Sequence, residues 1–494
     1  MKRFLSIFIF GSLLFSACGS DFLDDMPKGR YHEGNYDMQS AQELLVISKL
    51  FEGYNAFKEQ TWPVTAMHCH TSDNSHPGGP AGDGGTDFCQ FPTLSFTSAN
   101  SHIASYYSGQ YTAITKANEA LEMIGQMDGQ EHDEATINQL KAEAVFIRAA
   151  AYFRLTQAFG AVPYVDHVMD KEDEMADQLP AAEIRRRYSE ELVPLIDCLP
   201  TRQEMVASGN LGRATQNAAR AILAKTCLYE KNYTGCLQYV EQIIASKDND
   251  LTTPYADIWL EKNEFGPESV WEINADFAPD LNIDMWCQWN MMNGIRGYPN
   301  LGWGHNAPSE DLMADYEEGD PRYAATVLED GQSVDGETIK ASDYRFFNKK
   351  AYCPLSERSL YGRADWCFGY WANLRIIRYA DIILMGAESA CELGQLERAR
   401  ELLEMVRSRA RGENSPLTCL PVVRTDDLQT LRDAIRHERR IELALEFERY
   451  FDLVRWGIAE DKLPDFVVGK HELFPLPQSE IDKSNGKLQQ NAGY

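Results

Sequence analysis

Ala218-Ala219-Arg220-Ala221-Ile222-Leu223-Ala224-Lys225-Thr226-Cys227-Leu228-Tyr229-Glu230, then Lys231-Asn232-Tyr233, then apolar residues at Cys236, Leu237, Val240, Ile243 and Ile244, form the stretch on which the architecture turns. Apolar positions recur at three- and four-residue intervals on both sides of a short polar break, as in two amphipathic helices folded back on each other. A second copy places Ile383, Leu384, Ala387, Ala390 and Leu393 on one helix, turns at Gly394-Gln395, and resumes with Leu396, Ala399, Leu402, Leu403 and Val406. Alanine at the inner positions lets antiparallel helices approach. Tyr107 to Ile124, and Leu140 to Phe159 with Ala144, Ile147, Ala151 and Leu155, are weaker members of the same plan.

This pairing of helices resembles the tetratricopeptide repeat without its complete signature, so the expected class is mostly α, built of tetratricopeptide-like hairpins. The repeats do not tile the chain. Roughly 130 residues separate the two clear hairpins, far more than an ordinary connection. From Leu251 to Trp371, Gly, Pro, Asn, Asp and aromatics dominate, with short strand-like runs such as Ser269-Val270-Trp271-Glu272-Ile273. The expected division is a helical scaffold over about 36–250 and 372–460 carrying a loop-rich insertion over about 251–371. A second irregular stretch runs from Trp62 to Ser108.

The 494 residues are 44% apolar and 25% charged, which is globular usage and excludes a disordered chain or a multi-span membrane protein. Lys and Arg number 47 against 75 Asp and Glu, and the net charge of −28 argues against a broad electrostatic grip on nucleic acid or anionic headgroups. Lys2-Arg3, an apolar run from Phe4 to Phe15 and small residues at Ser16-Ala17 read as an export signal over 1–17, too short to span a bilayer. Cys18 directly after it resembles the lipobox of bacterial lipoproteins, which implies a lipidated Cys18 and a mature chain over 18–494. The acidic run Gly19-Ser20-Asp21-Phe22-Leu23-Asp24-Asp25 is similar to signals that send lipoproteins to the cell surface. Export permits disulfides, and Cys69 with Cys89, and Cys353 with Cys367, are the pairs to inspect; Cys227 and Cys391 are expected as buried thiols. No CxxC occurs, so neither a zinc ribbon nor a thioredoxin centre is expected.

Four further blocks carry a resemblance. They are Ile435-Arg436-His437-Glu438-Arg439-Arg440-Ile441-Glu442-Leu443-Ala444-Leu445-Glu446-Phe447-Glu448-Arg449-Tyr450-Phe451-Asp452-Leu453-Val454-Arg455-Trp456; the ending from Leu473-Phe474-Pro475-Leu476-Pro477 to Gln490-Asn491-Ala492-Gly493-Tyr494; Ala142 to Tyr152-Phe153 followed by Gly160-Ala161-Val162-Pro163; and Arg378-Tyr379-Ala380-Asp381 to Ala387-Glu388. In this order they resemble the SusD/RagB family. The resemblance implies a surface lipoprotein, anchored in the outer membrane, that binds glycans and sits as a lid on a SusC-like TonB-dependent transporter, with the helical repeats facing that partner. Read from its own residues, the first block offers opposite charges at i, i+3, Arg439 with Glu442, Glu446 with Arg449 and Asp452 with Arg455, while Ile441, Leu445 and Phe451 pack inward.

Signals of catalysis are absent: there is no GxSxG, no phosphate loop ending GK[ST], and no second His at zincin spacing after His437-Glu438. With 75 acidic residues, carboxylate pairs are unavoidable, so neither Glu310 nor Asp365 is assigned a role, and an enzyme is not expected. His68, His70 and His76 lie with Asp73 and Asp83 near the glycine-rich run from Gly78 to Gly85, but the spacing matches no metal class, and the run reads as a polar loop. No metal or cofactor is expected.

Trp286, Trp289, Tyr298 and Trp303 are interleaved with Asn290, Asn293, Arg296 and Asn300. Rings that meet the C–H faces of sugars, beside amides and a guanidinium that bond hydroxyls, suit a polyhydroxylated ligand, with a satellite core as the competing reading. Trp271 is expected in the core. A helical turn over 283–292 would put Trp286 and Trp289 on one face; an extended run would point them oppositely. The expected function is capture of an oligosaccharide and its delivery to the transporter. The alternatives are a surface scaffold for other cargo such as peptides, and a glycan-cleaving enzyme.

Overall fold

The structure, a computed structural model, describes residues 38–494 except 128, 130–131, 170–175, 279–282, 361–370 and 415–417. The export signal over 1–17, Cys18, Asp365 and Cys367 lie outside the described residues. Helices Gln216–Tyr229 and Tyr233–Ser246 make the first hairpin, and Tyr379–Glu392 with Leu396–Arg411 make the second. Asn232 starts the return helix of the first by accepting the Gly235 N–H. Tyr379–Glu392 packs on Tyr233–Ser246, so the two hairpins stack directly although the insertion separates them in sequence. Gly386 lies at that crossing, where a Cβ would come within 2.7 Å of Val240 Cγ1 and 3.1 Å of Leu402 Cδ1. Glycine as well as alanine therefore sets the closest approach.

The two weaker members are parts of longer helices, Ser101–Gly125 and Glu134–Phe159, packed together and against Met38–Lys58. Every residue from Ala142 to Phe159 is buried. A helix enclosed on all sides is ordinarily apolar all round; on this one Glu143 and Arg148 are matched by partners, while Arg154 lies over the Phe57 ring at 5.0 Å. Glu143 accepts from Arg213 at 2.6 and 2.9 Å, and Arg148 donates to Asn118 Oδ1 at 2.8 Å and to Glu191.

Between 251 and 371, no helix among the described residues exceeds six residues, and the strands form two-stranded ladders. Ser269–Ile273 pairs antiparallel with Leu374–Arg378, Leu374 opposite Ile273, which closes the base of the insertion. Trp271 on this ladder is 3% exposed and meets Phe57 and Phe146 edge-on in the main core, as expected. The insertion has its own small core of Ile295, Leu301, Leu328, Ile339, Phe347 and Tyr352. Cys69 and Cys89 are both free thiols, the first buried and the second exposed, so that pairing is not made. Cys353 and Cys391 are buried free thiols and Cys227 is half-buried.

The segment from Arg436 to Trp456 departs from the expectation of helical pairs at i, i+3. Its helix Leu428–Glu442 ends before Leu443, and the next begins at Arg449, so Glu446 and Arg449 do not share a helix. The charges are buried, and burial demands partners on all sides, which only other elements supply. Arg439 bonds Asp381 at 2.5 Å and Asp452 at 2.7 Å; Glu442 is shared by Arg378, Arg409 and Arg322; Arg449 holds Asp73 at 2.7 Å. Glu446 bonds Lys350 at 2.5 Å and Arg378 at 2.7 Å. Of the three expected pairs, only Asp452 with Arg455 is made, at 2.9 Å.

Burial alone would raise the Glu442 carboxyl, but Arg409, Arg378 and Arg322 hold it down to about 2. Asp381 is likewise held low against its burial by Lys225 and Arg439. Both are depressed carboxylates, so their stabilisation is complete above the ordinary range near pH 4 and is lost on acidification, for Glu442 as pH falls through about 2. His437 is the opposite case: Asp315 and Glu317 overcome burial and lift it to about 9, so its contribution is full below about 6.5 and disappears as pH rises through 9. Urea unfolding should therefore show a stability plateau that falls on the acid side. At pH 7, Arg439→Met should cost about 3–5 kcal/mol, because it strands buried carboxylates. A cost below about 1 kcal/mol, the size of a surface pair, would show that these ions do not act as a buried network.

Candidate functional site

Trp62 lies on the short helix Thr61–Val64, which widens into a π-helical turn over Thr65–His70, a geometry that re-aims side chains and recurs at functional sites. Phe88 is buried on a single 3₁₀ turn, Phe88–Gln90. Asp87 beside it accepts the Ser101 backbone N–H at 2.9 Å and the Ser101 hydroxyl at 2.6 Å, tying the irregular loop to the start of helix Ser101–Gly125. From the other side comes the insertion. Its helix Trp289–Asn293 is followed by a return in which Trp303 N–H donates to Met291 O at 2.8 Å. This return depends on two glycines: a Cβ on Gly294 would meet Leu301 O at 2.5 Å, and one on Gly302 would meet Met291 O at 2.4 Å.

The two irregular regions meet in one aromatic cluster. The rings of Trp62 and Trp303 lie 5.1 Å apart; Phe88 is 4.8 Å from His305, 4.9 Å from His70 and 5.4 Å from Trp62. Strand Ser75–His76 pairs with Ala307–Pro308, and His76 stacks on Tyr344 at 4.0 Å with the rings nearly parallel. Arg296 reaches across to Asp83 in the glycine-rich run and to Asp343 at 3.4 Å. Alongside lies a cleft of about 350 Å³ lined by His70, His76, the 79–83 turn, Phe88 and Cys89.

Trp303 is 36% exposed, Trp286 39% and Tyr298 57%, so each offers ring surface to solvent. Tyr298 sits on a two-residue strand opposite Lys340. Trp289 opens a helix packed on Thr61–Val64 and Lys349–Ala351, and its ring is buried against Phe447 at 4.8 Å. Asn290 and Asn293 are buried too: Asn290 donates to Cys353 Sγ at 3.1 Å, and Asn293 donates to Trp289 O at 2.7 Å. All three are packed into the framework of the insertion. Neither geometry expected over 283–292 describes the whole run, since a strand ends at Met285 and the helix starts at Trp289. Of its two tryptophans, only Trp286 is open. Arg296 stays at the site as a half-exposed, ion-paired group.

Sequence reasoning did not join Trp62, Phe88, His305 and Tyr344 to the site; the available signal was a tryptophan and a glycine-rich run in one irregular stretch. The histidine group divides: His68 and Asp73 are engaged elsewhere, while His70, His76 and Asp83 line the cleft. His68 is buried between Tyr106 Oη and Phe447 O, Asp73 is taken by Arg449, and no metal-holding group of His, Cys, Asp and Glu occurs among the described residues. Burial lowers His70, His76, His102 and His305, with His305 and His76 adding to the effect at His70.

Two family models match the chain: one described as starch-binding associating with outer membrane, over residues 58–228, and one described as SusD family, over 369–471. A SusD-like protein P2 of Formosa agariphila is 25% identical over 444 residues, covering 84% of this chain and 85% of the relative. A SusD-like protein of Bacteroides ovatus is 25% identical over 488 residues, 92% of this chain and 83% of the relative. Among solved structures, a laminarin-binding SusD-like protein superposes with a TM-score of 0.76 at 25% identity, over 91% of this chain and 99% of that one. Surface glycan-binding protein A from Bacteroides thetaiotaomicron, in complex with laminarihexaose, shares the fold with a TM-score of 0.73 at 23% identity, over 91% and 99% of the two chains.

Burial separates the tryptophans by role, and stability measurement checks it. Trp289→Ala should destabilise the protein by about 3–5 kcal/mol through the cavity it leaves. Trp286→Ala should cost below about 1 kcal/mol, as an exposed change does. Equal losses in the two variants would contradict the assignment.

Proposed function

Because the chain belongs to the SusD/RagB family, we propose that it is an outer-membrane glycan-binding protein that captures an oligosaccharide and passes it to a TonB-dependent transporter. It is a binding protein and not an enzyme. The observation that carries the reading is Trp303, an open ring backed by Trp62 in the cluster that flanks a 350 Å³ cleft. Sugars bind by laying C–H faces on such rings and bonding hydroxyls to polar groups around them. Trp303 supplies the face, with Tyr298 and Trp286 as further open rings. Arg296, aligned by Asp83, and His76 at the cleft supply donors and acceptors. The laminarin-binding relative supports a glycan as the ligand class, and the outer-membrane family description supports the location.

Lipidation at Cys18 holds the protein on the outer face of that membrane. One acyl chain binds marginally and several bind stably, so loss of the anchor has a large effect. The transporter partner follows from the family and from a helical scaffold with an extended surface.

A glycan array identifies the ligand, and titration of variants tests the platform. Trp303→Ala should weaken binding by about 1–3 kcal/mol, by analogy with base stacking on aromatic rings, which is about tenfold or more. Its melting temperature should change little. Wild-type affinity in Trp303→Ala, Tyr298→Ala and Trp286→Ala together would place the platform elsewhere. Cys18→Ala should leave the membrane or persist as precursor, and mild-detergent purification of the native protein should bring the transporter with it.

A further inference from the structure

Four imidazoles, from four separate stretches, lie where the 62–108 region meets the 286–308 return. His70 and His305 flank Phe88 at 4.9 and 4.8 Å and stand 6.1 Å from each other; His102 stacks on Trp62 at 6.1 Å; His76 stacks on Tyr344 at 4.0 Å. None of the four is ion-paired among the described residues, in contrast to His437, which has Asp315 at 3.5 Å. Neither ring nitrogen of buried His70 has a hydrogen-bond partner. His305 donates through Nδ1 to Pro77 O, and His76 accepts the Gly78 N–H, so the seam uses them as neutral rings.

The charges facing them are already engaged or more distant. His305 faces Asp83 and Arg296, which bind each other; His102 faces Asp87, taken by Ser101; His76 faces Glu310; His70 faces only His76 and His305, with Cys89 across the cleft. A proton on His70 places a cation in an aromatic interface with no carboxylate against it; at His76, His102 and His305 the facing carboxylates do not offset burial, and protons on both His70 and His305 add repulsion across 6.1 Å.

We propose that this seam makes the site proton-sensitive: charging the imidazoles on acidification parts the 75–92 loop from the 297–308 return, dismantles the cleft and releases its ligand. The ligand part rests on the carbohydrate reading; the opening does not. The sign follows from burial, which disfavours the charged rings: the closed seam is complete above about pH 6.5 and loosens as pH falls below it.

Hydrogen exchange on the full chain, corrected for intrinsic rates, reads the opening directly. Between about pH 7.5 and about pH 5, exchange in 75–92 and 297–308 should rise on the order of tenfold, while helix Tyr379–Glu392 stays protected. His70→Phe loses no hydrogen bond and keeps an aromatic ring, so it should fold and show a smaller rise. Laminarihexaose, used as probe, should bind more weakly at the lower pH in parallel. Unchanged exchange in the two segments, or an equal rise in His70→Phe, overturns the proposal. Opening without laminarihexaose binding at either pH supports the seam and counts against this probe as ligand.

Discussion

The charges of residues 436–456 have to be buried, and this requirement organises the molecule. Removing a carboxylate or guanidinium from water costs several kcal/mol unless opposite charges and hydrogen bonds surround it. Here the partners come from several parts of the chain: Asp381 and Glu388 from the second hairpin, Lys225 from the first, Arg378 from the ladder at the base of the insertion, Arg322 and Lys350 from its interior, and Asp73 from the amino-terminal irregular region. The network ties both hairpins, the insertion and the amino-terminal irregular region to one segment.

The site depends on this. Asp73, held by Arg449, lies two residues before strand Ser75–His76, which pairs with Ala307–Pro308. Trp289 packs on Phe447 inside the ionic segment, and the return that follows it carries Trp303. Ions that are not themselves near the cleft therefore fix both sides of it. The aromatic cluster is the result of that placement, joining two regions about two hundred residues apart in sequence.

The hairpins were legible because their information is local: apolar spacing, the polar break at Lys231-Asn232 and the alanines all lie within one window. The ladder strand at Ser269–Ile273 was legible for the same reason. Which aromatics face water was not, because Trp286 and Trp289 have the same chemistry three residues apart and differ only in that a helix begins at the second. The buried fate of Asn290 and Asn293 follows from that same helix. Trp62 and Phe88 escaped notice because their contacts with Trp303 and His305 are entirely long-range. The ionic segment misled in the other direction. Its i, i+3 spacing fits helical pairs, but the burial that selects distant partners is a property of the assembled fold.

On the proposed function, the two irregular regions form a single binding surface around Trp62 and Trp303. Nuclear magnetic resonance of the nine tryptophan indoles, followed during titration with the tightest oligosaccharide from a glycan array, addresses it directly. Saturable shifts are expected at Trp62 and Trp303 together, with buried Trp271 and Trp289 unmoved. Saturable binding that leaves both Trp62 and Trp303 unshifted would contradict it.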